Sequence, residues 1–270
     1  DPIPLHFVEQ ASGFGSRMID KLFEIMGSND GQTLKEHQEL VNSDFARSAR
    51  FIMSVHGFGP KRAAALANAY EGSIRSIEQL ESIAEREDFT HAQKLGIRYY
   101  CDSQLRIPRA EMHRHVHLLR QSCQQVDNDL AMMVCGSYRR ELDTSGDVDC
   151  LLSWSSVDVA AARPSNESRG PMADLVSVLD HRGYIKGMLG HGATKVMAFA
   201  QLENGLPVRR LDIRWVAPES FPTAMLYFTG SAEFNSRMRG AALQKGFTLN
   251  EYGLFHLVDG KRAAGSTPSS

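Results

Sequence analysis

The tightest constraint in this chain is Ser145-Gly146-Asp147-Val148-Asp149-Cys150-Leu151-Leu152, where apolar residues ask for a strand and two acidic residues sit two apart. Side chains two apart on a strand leave the same face, so Asp147 and Asp149 project together while Val148 and Cys150 turn toward a core. Two carboxylates held that close require a counter-charge, most simply a divalent cation. Alone, Asp-x-Asp also fits a solvated strand end. Ahead of it, the apolar run Ala131-Met132-Met133-Val134-Cys135 predicts another strand, closing in a turn at Gly136-Ser137-Tyr138-Arg139-Arg140. The amides and hydroxyl of that turn suit phosphate oxygens, with Arg139 or Arg140 supplying charge. Phosphate donors and a metal site this close in sequence predict phosphoryl transfer.

Such a site needs more oxygen ligands than one pair supplies, which predicts a third carboxylate on an adjacent strand. Arg209-Arg210-Leu211-Asp212-Ile213-Arg214-Trp215-Val216 provides it, with Arg210, Asp212 and Arg214 on one face and Leu211, Ile213 and Trp215 on the other. Asp147, Asp149 and Asp212 would seat two Mg²⁺ (or Mn²⁺) roughly 3.5–4 Å apart, one activating a nucleophilic oxygen and one gripping the leaving phosphates. In-line nucleotidyl transfer is the expected chemistry.

A repeat is the second signal. Ser12-Gly13-Phe14-Gly15-Ser16-Arg17 recurs as His56-Gly57-Phe58-Gly59-Pro60-Lys61, and each copy opens a helix, Met18 to Met26 and Arg62 to Tyr70. Glycines that accept φ > 0 let the backbone pass tightly between helices, and Ser16 and Pro60 suit a helix start. Free amides there form an anion site able to hold a nucleic-acid phosphate without reading a base. A plain helical hairpin is the alternative. From Ser73 to Cys101 the chain reads as helix, with Ile74, Ile77, Leu80 and Ile83 on one face. Pro108 breaks that pattern. A second helix runs from Arg109 to Val126, and its His113, His115 and His117 read as a solvated face without function.

Composition frames these motifs. At 270 residues there is room for two to three small domains, and 42% hydrophobic with 23% charged residues excludes disorder, collagen and coiled coil as the main state. No apolar run approaches the roughly 18 residues of a membrane span, and no signal segment is expected at the start. Cys101, Cys123, Cys135 and Cys150 lack CxxC spacing and read as reduced thiols of an intracellular protein. A net charge of −2 says little about nucleic acid, because a local basic face is what matters.

Taken together, Gly136-Ser137-Tyr138-Arg139-Arg140 with Gly146-Asp147-Val148-Asp149, the later Arg210-Leu211-Asp212-Ile213-Arg214, and Tyr227-Phe228-Thr229-Gly230-Ser231 resemble family X DNA polymerases. Phe234-Asn235 and Lys245-Gly246-Phe247-Thr248-Leu249-Asn250-Glu251-Tyr252 extend the likeness, which runs from about Glu9 to Leu257. It implies an α+β multi-domain chain. Residues 1–45 would be the remnant of a lyase domain with the first helix-hairpin-helix, and 46–105 a helical DNA-binding domain with the second. A nucleotidyltransferase palm with a mixed or antiparallel sheet would occupy 106–218. A small α+β nucleotide-selection subdomain with a flexible tail would fill 219–270. The implied activity is template-directed filling of short gaps in DNA repair, from dNTP to primer 3′-hydroxyl. The implied partners are gapped or nicked double-stranded DNA and dNTP, with no membrane, the chain acting as a monomer in the nucleus or the mitochondrion.

The resemblance also implies roles. Asp147, Asp149 and Asp212 would be metal ligands, and Asp212 would promote deprotonation of the primer 3′-hydroxyl. Arg106, Ser137, Arg140 and Gly146 would contact the triphosphate, and Arg214 would be a salt-bridge partner that exchanges on closing. A monovalent cation (Na⁺ or K⁺) would bridge DNA phosphate to the carbonyls of Ala11 and Phe14 in the first hairpin, and of Met53, Val55 and Phe58 in the second. Lys21 falls at the Schiff-base lysine of the lyase domain, most of which would precede Asp1, so lyase activity is expected of a longer chain rather than this one.

Beside that resemblance, Tyr227-Phe228-Thr229-Gly230 puts a bend and aromatic bulk where a ribose 2′-hydroxyl would clash. Asn235 and Arg239, four apart on the next helix, would reach the minor-groove edge of the new pair and the template. Glu141 stands where the family carries glycine, and Ala232 and Ser236 stand where near relatives carry aspartate and lysine. Two other classes share parts of this pattern. A template-independent nucleotidyltransferase would need neither hairpins nor selector, and a non-catalytic DNA scaffold would need the hairpins alone.

Overall fold

A computed structural model describes residues 42–161, 171–258 and 261–262 of the chain. They fall into two compact units divided between Ile97 and Arg98. In the first, α1 (Asp44–Ser54) and α2 (Pro60–Ala69) form a hairpin around the Gly57-Phe58-Gly59 turn. The Ser43 hydroxyl caps α1 by accepting from the Ala46 N–H at 3.2 Å, and Pro60 takes the first helical position of α2. Gly57 adopts φ +92°, and the Gln93 side chain donates to its carbonyl at 3.2 Å.

The single helix expected over Ser73 to Cys101 is replaced by α3 (Ile77–Ser82), α4 (His91–Arg98) and, beyond the divide, α5 (Tyr100–Gln104). Reciprocal caps account for the breaks. Ser76 Oγ accepts from Gln79 N–H at 3.4 Å while Gln79 Oε1 accepts from Ser76 N–H at 3.1 Å. Thr90 and Gln93 make the same exchange at 3.3 and 2.9 Å. Each pair satisfies backbone donors that a continuous helix would have used itself, so new helices start although the apolar spacing runs on.

The second unit begins with β1 (Ile107–Pro108), α6 (Arg109–Val126), β2 (Leu130–Val134), α7 (Gly136–Arg139), β3 (Thr144–Ser145), β4 (Val148–Trp154) and α8 (Val157–Ala161). After α9 (Pro171–His181) come β5 (Ile185–His191), β6 (Lys195–Ala200) and β7 (Arg209–Trp215). Five strands form one mixed sheet in the order β2-β4-β7-β6-β5, with β4 and β7 parallel and the other pairs antiparallel. Strand alternation sorts the two faces. Val148, Cys150 and Leu152 join Met112, Leu119, Leu175 and Leu179 of α6 and α9 in the main core. On the opposite face, Leu151 packs with Ala224, Met225 and Phe228 of α10 (Phe221–Thr229). The chain continues through α11 (Ala232–Gln244) into an antiparallel sheet of β8 (Phe247–Asn250), β9 (Gly253–Val258) and β10 (Lys261–Arg262).

His115 departs from the solvated face read from sequence. It is fully buried, its Nδ1 2.6 Å from Tyr184 Oη and its Nε2 3.5 Å from Glu111. Glu111 accepts two hydrogen bonds from Arg209, at 2.8 and 2.9 Å, and Arg209 also donates to the Leu105 carbonyl at 2.9 Å. Burial lowers the His115 pKa from 6.5 to about 4, against the pull of Glu111. The imidazole is therefore neutral in the fold, and below about pH 6.5 the unfolded chain takes up its proton first. Stability from this pair is full above that pH and declines as the pH falls toward 4, by about 3 kcal/mol in all. Urea unfolding of the chain and of a His115→Leu/Tyr184→Phe variant is the measurement. Their stability difference is expected to shrink from pH 7 to pH 4, and a constant difference would show that His115 is not buried neutral.

Candidate active site

Parallel pairing of β4 and β7 places Asp149 opposite Asp212, with Val148 opposite Leu211. Asp147 immediately precedes β4, and one carboxylate oxygen from each of Asp147, Asp149 and Asp212 lies within 4.8 Å of the others. Arg210, two residues before Asp212 and on the same face, holds Asp212 at 2.5 Å and Asp147 at 3.5 Å. Strand alternation puts Arg210 on this face but assigns it no partner. Burial, then the charges of Asp147 and Asp212, push the Asp149 carboxyl up to about 7. Asp147 is raised chiefly by burial, while Arg210 draws it down. For Arg210 itself, burial opposes its charge, but Asp212 and Asp147 outweigh that and raise its pKa. The set is a half-buried oxygen cluster in which Arg210 is ion-paired with Asp212 and Asp147, a donor type and charge that fit hard divalent metals.

The turn after β2 is a short helix rather than a plain turn. Gly136 opens α7 at φ +56°, and a Cβ there would stand 2.5 Å from Asp149 Oδ2, so this position admits only glycine without displacing the carboxylate. A cavity of about 780 Å³ lies in front, lined on one side by Arg106, Ser137, Arg140, Gly146, Asp147 and Asp149. Arg106 is braced against Thr144, donating to its hydroxyl at 3.2 Å and to its carbonyl at 2.8 Å. Arg109 lies over the Tyr138 ring at 4.7 Å and donates to the Tyr138 carbonyl at 3.0 Å and the Leu142 carbonyl at 3.3 Å, fixing α7 and the residues that follow it. Glu141 takes φ +62°, the conformation glycine adopts at no cost, which carries strain of order 1–2 kcal/mol in an L-residue.

Tyr227, Phe228, Gly230, Asn235 and Arg239 line the opposite side of the cavity. The bend expected there is at Gly230, with φ +69°. Asn235 donates its side-chain amide to the Tyr227 carbonyl at 2.7 Å. Asp212 faces a smaller cavity of about 180 Å³, whose walls include Asp149, Lys195, Arg214 and Phe228. There the Arg214 guanidinium lies 5.4 Å from the Phe228 ring, and it is Arg210 that pairs with Asp212. Lys195 carries no signal in the sequence, though its register opposite Arg214 follows once β6 pairs with β7. Met53, Val55 and Phe58 belong to the α1–α2 hairpin, where the Val55 carbonyl accepts from Phe58 N–H at 3.3 Å. Ala11, Phe14 and Lys21 lie outside the described residues.

Comparison with known proteins agrees with this geometry. The family model for the DNA polymerase beta palm matches residues 106–218, that for the DNA polymerase beta thumb matches 224–269, and that for the fingers domain of DNA polymerase lambda matches 50–104. DNA polymerase lambda of Rattus norvegicus is 32% identical over 90% of the chain, and that of Arabidopsis thaliana 28% identical over 95%. The chain spans 40% and 48% of the lengths of those two proteins. Among solved structures, the ternary P/T complex of Leishmania infantum polymerase beta superimposes with a TM-score of 0.73 at 37% identity, over 83% of this chain and 85% of that one. Its ternary gap complex gives 0.74 at 34% identity, over 90% and 81%.

Crowded carboxylates make the metal-free fold less stable than it would be with one charge removed. Asp149→Asn is expected to raise the melting temperature in EDTA, by roughly 2–4 °C for each kcal/mol of relieved repulsion. Millimolar Mg²⁺ or Mn²⁺ is expected to stabilise the unaltered chain and to leave the variant nearly unmoved. Equal responses of the two proteins in a thermal-shift titration would mean that the cluster does not bind the ion.

Proposed function

Since the chain belongs to the family X DNA polymerases, we propose that it is a template-directed DNA polymerase that fills short gaps in double-stranded DNA during repair. The observation that carries this reading is the juxtaposition of three aspartates within 4.8 Å of one another with a cavity whose two walls hold phosphate donors and an aromatic segment. Arg106, Arg140 and the Ser137 hydroxyl suit the triphosphate of a dNTP, with Gly146 letting the phosphates approach the backbone. Asp147, Asp149 and Asp212 would hold Mg²⁺ or Mn²⁺, which when bound supplies charge stabilisation to the transferring phosphoryl group. The primer 3′-oxygen forms the new bond to the α-phosphorus, the bond to the β-phosphate oxygen breaks, pyrophosphate leaves, and Asp212 promotes loss of the 3′-hydroxyl proton. Tyr227, Phe228 and the Gly230 bend bar a 2′-hydroxyl, while Asn235 and Arg239 face the nascent pair.

The α1–α2 hairpin supports binding of a DNA backbone phosphate through Na⁺ or K⁺ at the Met53, Val55 and Phe58 carbonyls, on gapped or nicked DNA. Free thiols at all four cysteines support a reducing, intracellular setting, nuclear or mitochondrial. Among the described residues no helix is long and apolar enough to cross a membrane.

Primer extension across a one-nucleotide gap tests the reading. The unaltered chain is expected to add the templated deoxynucleotide with Mg²⁺, and Asp212→Ala to abolish extension while DNA affinity stays. Arg140→Ala, which removes a charge-assisted contact of about 1.5–3 kcal/mol, is expected to raise the dNTP KM about 10- to 100-fold. Tight DNA binding without extension by the unaltered chain would return the scaffold reading.

A further inference from the structure

Arg139 and Thr229 do not line the large cavity, yet they join its two walls. Arg139 ends α7, the helix that carries Ser137, and Thr229 ends α10, the helix that carries Tyr227 and Phe228. Arg139 Nη1 donates to Thr229 Oγ1 at 3.1 Å, and that hydroxyl donates in turn to the Met225 carbonyl at 2.5 Å, one turn back along α10. Arg140 Nη1 donates to the Thr229 carbonyl at 2.6 Å. That carbonyl is among those a helix leaves without partners at its negative end, where a guanidinium is favoured. The next residue is Gly230, where a Cβ would stand 3.2 Å from Arg140 Nη1. The two bridged residues are 90 apart in sequence, so their separation is set by contacts and not by the chain.

Two arginines on one threonine divide the work. Arg140 lines the cavity and is the one a triphosphate would claim. Arg139 does not line the cavity, and its bond is to the Thr229 hydroxyl rather than to the carbonyl that Arg140 holds. We propose that Arg139 and Thr229 are positioning residues that set nucleotide specificity, fixing the distance between the triphosphate seat and the Tyr227-Phe228-Gly230 wall. The proposal rests on the polymerase reading above. Exclusion of a 2′-hydroxyl is a contact effect, and a wall free to draw back loses the clash that produces it. Losing the bridge therefore admits ribonucleotides without removing any group that touches the nucleotide.

Single-nucleotide incorporation at a one-nucleotide gap, with a deoxynucleoside triphosphate and its ribonucleotide counterpart, measures the ratio of their kcat/KM values. Arg139→Ala and Thr229→Val are each expected to lower the deoxy-to-ribo ratio about tenfold, the worth of one charge-assisted hydrogen bond. The double variant is expected to fall no further than either single one, since both remove the same contact. Thr229→Ser keeps the hydroxyl that accepts the bond and is expected to hold the ratio within about threefold of the unaltered chain. Arg139 is exposed, so its variants test the bridge even where Thr229→Val impairs folding. An unchanged ratio in Arg139→Ala, or additive losses in the double variant, would overturn the bridge and leave the polymerase reading intact. Failure of the unaltered chain to incorporate any nucleotide would overturn both.

Discussion

Everything at this site follows from holding three like charges together on one face of a sheet. The parallel pairing of β4 with β7 sets Asp149 against Asp212, and their backbones cannot separate while that ladder stands. The repulsion has to be met locally. Arg210 meets part of it from the same strand, and the protonation pressure on Asp149 registers the remainder. A cluster that is uncomfortable without cations is one that gains from binding them, which is how a metal site is kept ready at a cost in stability of the empty fold.

Such a platform works only if the sheet cannot relax, and the other face supplies the resistance. Val148, Cys150, Leu152, Leu211 and Ile213 interlock with α6 and α9, so shifting an aspartate means repacking the largest core of the second unit. The consecutive arginines at the start of β7 show the same division of labour. Arg210 faces the carboxylates, while Arg209, pointing the other way, is buried against Glu111 and ties the strand to α6 and to the Leu105 carbonyl. That second tie also steadies Arg106, one residue on from Leu105, which reaches the opposite end of the site.

Strand alternation makes the three aspartates legible in the sequence alone, because period two is strict and an acidic pair among Val, Cys and Leu leaves few arrangements. The apolar backing of β7 follows by the same logic, the hairpin at Gly57 from the repeated Gly-Phe-Gly, and the mixed sheet from the family resemblance alone. What the sequence does not reveal is what depends on pairing across elements: that Arg210 pairs with Asp212, that Lys195 stands beside Arg214, that Thr229 meets Arg139. His115 escapes a reading by spacing because a helical period does not tell a polar residue at the edge of the buried stripe from one inside it. Its partners, Tyr184 and Glu111, lie on another element and another turn. The late start at Ile77 and the break after Ser82 are hidden for the opposite reason: their signals, Ser76-x-x-Gln79 and Thr90-x-x-Gln93 respectively, are in the sequence, but a continuing apolar pattern masks them.

The wall opposite the aspartates is organised differently. Beside the Arg139 bond to the Thr229 hydroxyl, its polar connections run through backbone carbonyls: Tyr227 O accepts from Gly230 N–H and from the Asn235 amide, and Thr229 O from Arg140. Carbonyls are present whatever the side chain, so Tyr227 and Gly230 are free to supply aromatic bulk and a bend while Thr229, Met225 and Phe228 carry the side-chain contacts. Placement by a few hydrogen bonds is also less rigid than placement by a core. The site thus joins a wall held by the main core to one held by the smaller cluster of Leu151, Ala224, Met225 and Phe228 together with these polar contacts. For the polymerase proposed above, which would accept four different bases and reject one extra hydroxyl, this pairs immobile chemistry with a selector whose position is set by a small apolar cluster and a few polar contacts.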